Sequence, residues 1–190
     1  MINTPQVPVL NDPLLIDYAL LEIQQKIVVS IPWLDHAFGK AQRQKTLQDK
    51  KILIRPTVYV GDADYLPVFP DDNIGNFIFF KADDPQDVID QGKVSKMNYN
   101  LHLIAWFNYK KVFPSDWEQK SIENVKSQFI QFFIDTHLKR SKITMNKFYE
   151  HGENIYKDYT DNEIKDQFLM RPYGGFRLSL SMKLPTLKIC

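Results

Sequence analysis

The chain reads as an α+β domain in which a mostly antiparallel sheet packs against two main amphipathic helices. Three stretches lead to that reading. In Met97–Tyr109 the odd positions (Met97, Tyr99, Leu101, Leu103, Ala105, Phe107, Tyr109) alternate with Asn98, Asn100, His102, Ile104, Trp106 and Asn108, as in a strand with one buried and one mixed face. Downstream, Ile122, Val125, Phe129, Phe132 and Phe133 recur at helical spacing, so one apolar stripe can lie across that strand. Near the end, Phe176, Leu178, Leu180, Met182 and Leu184 alternate with Arg177, Ser179, Ser181 and Lys183, giving a strand with one core face and one wet face.

The bulk properties agree with one domain. A chain of 190 residues, 44% hydrophobic and 25% charged, builds one substantial core, and we read 1–190 as a single domain. The net charge of +1 offers no global excess to draw nucleic acid or a membrane surface. No stretch approaches the roughly 18 apolar residues of a membrane span. The first residues have neither a charged start nor an apolar run, so a secretory signal is not expected. The lone cysteine, Cys190, has no intrachain partner, which suits a reducing compartment or one indifferent to redox state.

Taken in order, residues 1–11 carry Pro5 and Pro8 among Val7, Val9 and Leu10. They form an extended arm that packs either on its own domain or on a neighbour. Asp12-Pro13 reads as a cap and first-turn proline. The helix that follows carries Leu20, Ile23, Ile27 and Ile31 on one stripe, widened by Leu14, Tyr18 and Leu21, and must stop before Pro32. Residues 37–60 form a hairpin turning at Gln48-Asp49-Lys50, with Ile52, Ile54, Val58 and Val60 alternating with Lys51, Arg55, Thr57 and Tyr59. Its first arm is so polar that the hairpin, 40–55 at its core, should project from the body. Pro56 places the second arm at an edge or a bulge.

Residues 61–93 are broken by Gly61, Pro67, Pro70, Gly75, Pro85 and Gly92 and read as a long loop region, with Phe77–Phe80 a short buried strand inside it. Ser115 with Glu118 forms a capping box and starts the second main helix. Lys139–Lys147 is basic, and Tyr149–Tyr159 shows no period. Thr160 with Glu163 makes another capping box, opening a short helix to about Leu169, and Gly174-Gly175 turns the chain into the last strand.

No catalytic motif is present. The seven glycines form neither GxGxxG nor a phosphate-binding loop, and there is no GxSxG elbow. His36, His102, His137 and His151 have no paired spacing for zinc, and His102 reads as a polar residue on a strand's mixed face. Asp71-Asp72-Asn73 fails the calcium-loop register. Pro70-Asp71 followed by Phe79-Phe80-Lys81 puts phenylalanine where a magnesium nuclease needs an acid. No cofactor is expected.

Charge layout is more informative. Between 40 and 55, Lys40, Arg43, Lys45, Lys50, Lys51 and Arg55 oppose only Asp49, a balance of +5. Between 62 and 92, Asp62, Asp64, Asp71, Asp72, Asp83, Asp84, Asp87 and Asp90 oppose only Lys81, a balance of −7. Either both are ordinary solvated surfaces, or one subunit's basic hairpin meets the next subunit's acidic loop, with Lys45, Lys50, Lys51 and Arg55 facing Asp71, Asp72, Asp83 and Asp84 and closing a ring. The hairpin lacks interleaved aromatics, so no specific nucleic-acid partner is expected.

Several segments resemble a known family. These are Pro32-Trp33-Leu34-Asp35-His36-Ala37-Phe38-Gly39, Pro56-Thr57-Val58-Tyr59-Val60-Gly61, Pro70-Asp71-Asp72-Asn73, Asp83-Asp84-Pro85-Gln86 and Tyr173-Gly174-Gly175-Phe176-Arg177. Their order is similar to that in the small neck and tail-completion proteins of tailed bacteriophages, the tail-terminator type. That resemblance implies a compact α+β subunit that assembles as a ring at the tail end or between portal and tail. Its partners would be copies of itself and other neck, portal or tail-tube proteins. Its place would be the virion, assembled in the host cytoplasm, and it carries no catalytic residues to transfer. The loops are longer than in the smallest members, especially 61–93. The alternatives from other classes are a small divalent-metal-dependent enzyme using the aspartate-rich loop and a soluble adaptor module.

Overall fold

A computed structural model describes residues 6–8, 10–48, 50–62, 64–83, 87–90, 95–139, 141–150, 152–160 and 164–185 of the chain, the side chains of 87–90, 95, 152 and 185 excepted. The fold is α+β with a mostly antiparallel main sheet, as the alternations require. Among the described residues the strands are β1 (His36–Lys40), β2 (Gln42–Gln48), β3 (Lys51–Gly61), β4 (Asp64–Pro67), β5 (Phe77–Ala82), β6 (Asp87–Asp90), β7 (Ser95–Asn108), β8 (Lys142–Tyr149) and β9 (Tyr173–Pro185). The helices are α1 (Ile16–Ser30), α2 (Tyr109–Val112), α3 (Ile122–Asp135) and α4 (Gly152–Ile155).

The main sheet runs β1-β5-β7-β9-β8, with β6 paired to β7, and among the described strands only the β1–β5 pair is parallel. A smaller sheet runs β2-β3-β4. The long strand β7 divides two cores. Its odd residues, among them Leu101, Leu103, Ala105 and Phe107, meet α1 and α3. Its even residues Ile104 and Trp106 face a second core with Val58, Val68, Phe77, Phe79 and Tyr156. Strand β5 is buried on both faces, which is why Phe77, Ile78, Phe79 and Phe80 form an unbroken apolar run.

The α1 stripe of Leu20, Ile23, Ile27 and Ile31 is buried as its spacing requires. The helix begins later than Asp12-Pro13 suggests, however. Asp12 and Leu15 both adopt positive φ, so the chain turns before Ile16, and Leu14 is 70% exposed and adds nothing to the stripe. The second main helix also starts later than Ser115. Residues Trp117–Gln119 form a 3-10 turn, and α3 opens at Ser121, whose N–H donates to Asn124 Oδ1 at 2.9 Å. Asn124 can reach back where Glu118 cannot, because the chain is not yet α-helical at Glu118.

The region 61–93 is more ordered than a loop: β4, β5 and β6 lie within it. Thr160 caps no helix among the described residues. Its Oγ1 accepts Ile54 N–H at 3.0 Å, and the 3-10 turn nearby is Asp166–Leu169. Glu163 lies outside the described residues. Gly174 and Gly175 do not turn the chain; they are strand residues of β9 opposite Phe107 and Trp106. They are glycines because aromatic rings occupy the space over them, Tyr109 Cε2 at 2.9 Å from a Cβ at Gly174 and Trp106 Cε3 at 2.3 Å from one at Gly175.

The arm packs on its own domain where it is described. Gln6 N–H donates to Asp35 carbonyl at 3.1 Å, Ala37 N–H donates to Gln6 carbonyl at 3.2 Å, and Val7 packs on the α1 core.

Candidate functional site

The hairpin is β2 and β3, Gln42 to Gly61, and starts later than residue 37, because His36–Lys40 is drawn into the main sheet against β5. Strands β2 and β3 pair from Gln42↔Thr57 to Gln48↔Lys51, and Lys50 takes the positive φ of a tight turn. Strand β4 pairs with β3 only from Thr57 to Gly61, so beyond Pro56 the ribbon is two-stranded. Pro56 therefore sits in the middle strand of a small sheet, not in an edge strand. It is tolerated because its carbonyl takes Val68 N–H at 2.8 Å just where the β3–β4 ladder runs out. The ribbon is tied to the body once more at Ile54, whose carbonyl accepts Thr160 N–H at 2.8 Å and whose N–H donates to Thr160 Oγ1 at 3.0 Å.

Past that tie it projects, with nearly every β2 side chain exposed. At its end Leu47 and Ile52 are register partners on one face and are 76% and 66% exposed. Of the alternating apolar residues of β3, Val58 is fully buried, whereas Ile52 and Val60 are exposed. Lys45 shares the Leu47 face, whereas Lys51 and Arg55 lie on the other, with Arg55 Nη2 donating to Gln48 Oε1 at 3.3 Å. Leu47 and Ile52, with Lys45 on their face, tip the ribbon. The sequence hides them, since Leu47 is one apolar residue in a polar arm.

The aspartates are dispersed. Asp71 Oδ1 accepts Asn73 N–H at 2.7 Å in a local turn, and Asp72 Oδ1 accepts the Tyr173 hydroxyl at 2.7 Å, which raises the Tyr173 pKa. Asp83 lies at the other end of β5, roughly 20 Å away along the strand. There Lys81 Nζ holds it at 3.2 Å. Asp84 lies outside the described residues. Asp71 and Asp72 thus lie at the opposite end of β5 from Asp83, and each of the three has a partner in its own chain. Asp62 and Asp64, at the β3–β4 turn, are exposed and lie beside Tyr65.

A second polar group lies on the sheet face away from α1 and α3. Register brings it together: Lys81 is opposite His102, His102 opposite Ser179, and Arg177 opposite Tyr149. Asp158, from the segment after α4, closes over them with Lys81 Nζ at 2.6 Å and Arg177 Nη1 at 3.8 Å. Arg177 is 5% exposed on the face expected to be wet, and also donates to the Lys157 carbonyl at 3.4 Å. Burial pushes the Asp158 carboxyl up, but the Lys81 hydrogen bond and the charges of Lys81, Arg177 and Arg43 outweigh it and hold the pKa below the usual value. Burial and the Arg177 charge push the His102 imidazole down to about 4, so it is neutral at neutral pH. Lys81, His102 and Arg177 are far apart in sequence, and only strand register brings them to one face.

This cleft, lined also by Asp83, Tyr149, Asn154 and Lys157, is dominated by the Lys81–Asp158 and Arg177–Asp158 ion pairs. Among the described residues no three His, Cys, Asp or Glu side chains gather to hold a metal ion. Nor is any helix among them long and apolar enough to cross a membrane. No known family model matches the chain, and no curated protein matches it at significant similarity.

Proposed function

We propose that the chain is a structural virion protein of a tailed bacteriophage. It forms a cyclic homo-oligomer at the neck or tail end, as a tail terminator or head–tail connector, and acts by assembly. The observation that carries this reading is the β2–β3 ribbon, which reaches past its last tie at Ile54 to present Leu47 and Ile52 to water. A ribbon that contributes little to its own core and ends in apolar side chains is built to be covered by something else. The order of turn and strand segments resembling the tail-terminator type supplies the class of assembly. Other neck, portal or tail-tube proteins would stack above and below the ring, in a particle assembled in the host cytoplasm.

Sedimentation velocity of the purified full chain tests this. A discrete oligomer is expected that grows with concentration and shifts toward smaller species near 1 M salt, where the Debye length is about 3 Å and exposed ion pairs are screened. A monomer at every concentration would overturn the proposal.

A further inference from the structure

We infer that the polar cleft over Lys81, His102 and Arg177 binds one small phosphate-bearing molecule, inorganic phosphate or a phosphomonoester. This goes beyond assembly, since an unassembled chain would bind the same ligand.

The cleft has the size and the charge for it. Its volume is about 310 Å³, at the lower end of the roughly 300–1,000 Å³ of small-molecule sites. Its lining sets Lys81, Lys157 and Arg177 against Asp83 and Asp158, an excess of one positive charge. Both carboxylates gather on Lys81, Asp158 at 2.6 Å and Asp83 at 3.2 Å. Arg177 meets Asp158 only at 3.8 Å, and Lys157 makes no ion pair among the described residues. The positive excess therefore sits at Arg177 and Lys157. Arg43 is close enough for its charge to act on Asp158 as well.

Two buried groups of the cleft lack hydrogen-bond partners. Arg177 is 5% exposed, its Nε has no partner, and Nη1 reaches the Lys157 carbonyl only at 3.4 Å. His102 Nδ1 is buried without a partner, and its Nε2 stands 3.8 Å from Asp83 Oδ2, too far for a hydrogen bond. Buried polar groups are nearly always satisfied, and a buried charge without a close counter-charge is costly. Water could fill the hydrogen bonds but not the charge. An oxyanion supplies both, because its oxygens match the donor fork of a guanidinium.

The arrangement favours phosphate over carboxylate. A planar carboxylate occupies one fork, whereas a tetrahedral phosphate also offers oxygens to Lys157 and to the Tyr149 hydroxyl and Asn154 amide of the same lining. At pH 7 a phosphomonoester carries roughly −1.5 to −2 charges, enough to offset the excess.

Isothermal titration calorimetry of the full chain with inorganic phosphate and with glycerol 1-phosphate, at ionic strength held by chloride, tests the site. One saturable site per chain is expected for both, with acetate far weaker. Lys157→Gln, at an exposed position, should weaken phosphate binding roughly ten-fold or more, the loss of one charge-assisted contact. Arg177→Lys, which keeps the charge and loses the fork, should weaken it as much. Lys183→Gln, exposed toward the other end of β9, should leave the affinity unchanged. The His102 imidazole signals in NMR should move during the titration, while those of His36, at the other end of β5, should not. An absence of saturable binding would overturn the site, and so would an affinity that Lys157→Gln leaves at the wild-type value. Acetate or a short single-stranded DNA binding as tightly as glycerol 1-phosphate would overturn the assignment to a small phosphate-bearing ligand.

Discussion

Trp106 on β7 and Gly175 on β9 are register partners, and a Cβ at Gly175 would come within 2.3 Å of Trp106 Cε3 and 2.9 Å of the Ala105 carbonyl. Trp106 is 4% exposed and cannot swing aside without opening the second core. Gly175→Ala should therefore destabilise the chain by about 1–3 kcal/mol, the cost of forcing extra atoms into a packed site. At about 2–4 °C per kcal/mol for a chain of this size, calorimetry should show a clear drop in Tm. Gly39→Ala is the control. Its Cβ would meet the Gln24 side-chain amide, with Oε1 nearest at 3.5 Å, an ordinary contact, and its melting should stay near wild type.

Asn76 joins three segments and is 1% exposed. Its Nδ2 donates to the Trp33 carbonyl at 2.9 Å, its Oδ1 accepts Asn108 N–H at 2.8 Å, and its own N–H donates to Asp35 Oδ2 at 2.8 Å. Asn76→Ala orphans the Trp33 and Asn108 groups at about 1–3 kcal/mol each. Asn76→Asp keeps the acceptor for Asn108 but sets a carboxylate against the Trp33 carbonyl. Its loss should be large at neutral pH and should shrink on acidification, when the protonated acid donates again. Equal losses at both pH values would refute this account of the hub.

His102 makes stability depend on pH. Its imidazole titrates at about 4 in the folded chain, pushed down by burial and by Arg177, against about 6.5 in the unfolded chain. Between those values the unfolded state takes up a proton that the folded state refuses, so stability falls as pH drops through that window. His102→Gln, polar but not titrating, should flatten the wild-type slope in urea unfolding between pH 6.5 and 4. Parallel profiles would show that the imidazole is not the group responsible.

Asp158 acts in a lower window. Its folded-state pKa is depressed, so the stability it contributes is present above the unfolded value of 3.8 and is lost as pH falls through the folded one. Asp158→Asn leaves the buried Arg177 guanidinium with a weakened counter-charge. Exposed pairs are worth about 0–1 kcal/mol, and breaking buried ones costs about 3–5. With Asp158 at 30% side-chain exposure and Arg177 at 7%, a loss of about 2 kcal/mol is expected at neutral pH. That difference should narrow below about pH 4, as the wild-type carboxylate is itself neutralised.

Much of the architecture was legible because it rests on local pattern. The alternations in β7 and β9 and the stripes of α1 and α3 each state a period, and the buried faces follow them. Helix starts were harder to read. Asp12-Pro13 and Ser115 with Glu118 carry the right residue types, but positive φ at Leu15 and a 3-10 turn at Trp117 defer both helices. Gly174-Gly175 looks like a turn until the rings that need its space are known. The projecting ribbon was readable from its polarity, whereas its apolar tip was not, because Leu47 and Ile52 become one patch only through register. The Lys81, His102, Asp158 and Arg177 group comes from four distant segments, and no linear motif encodes it.

Electron cryo-microscopy of the purified full chain, read as two-dimensional class averages, tests the account most directly. It predicts closed particles of one rotational symmetry, with the β2–β3 ribbon of each subunit covered by a neighbour. Lone particles of about 22.4 kDa, or rings whose ribbons point free into solvent, would contradict it.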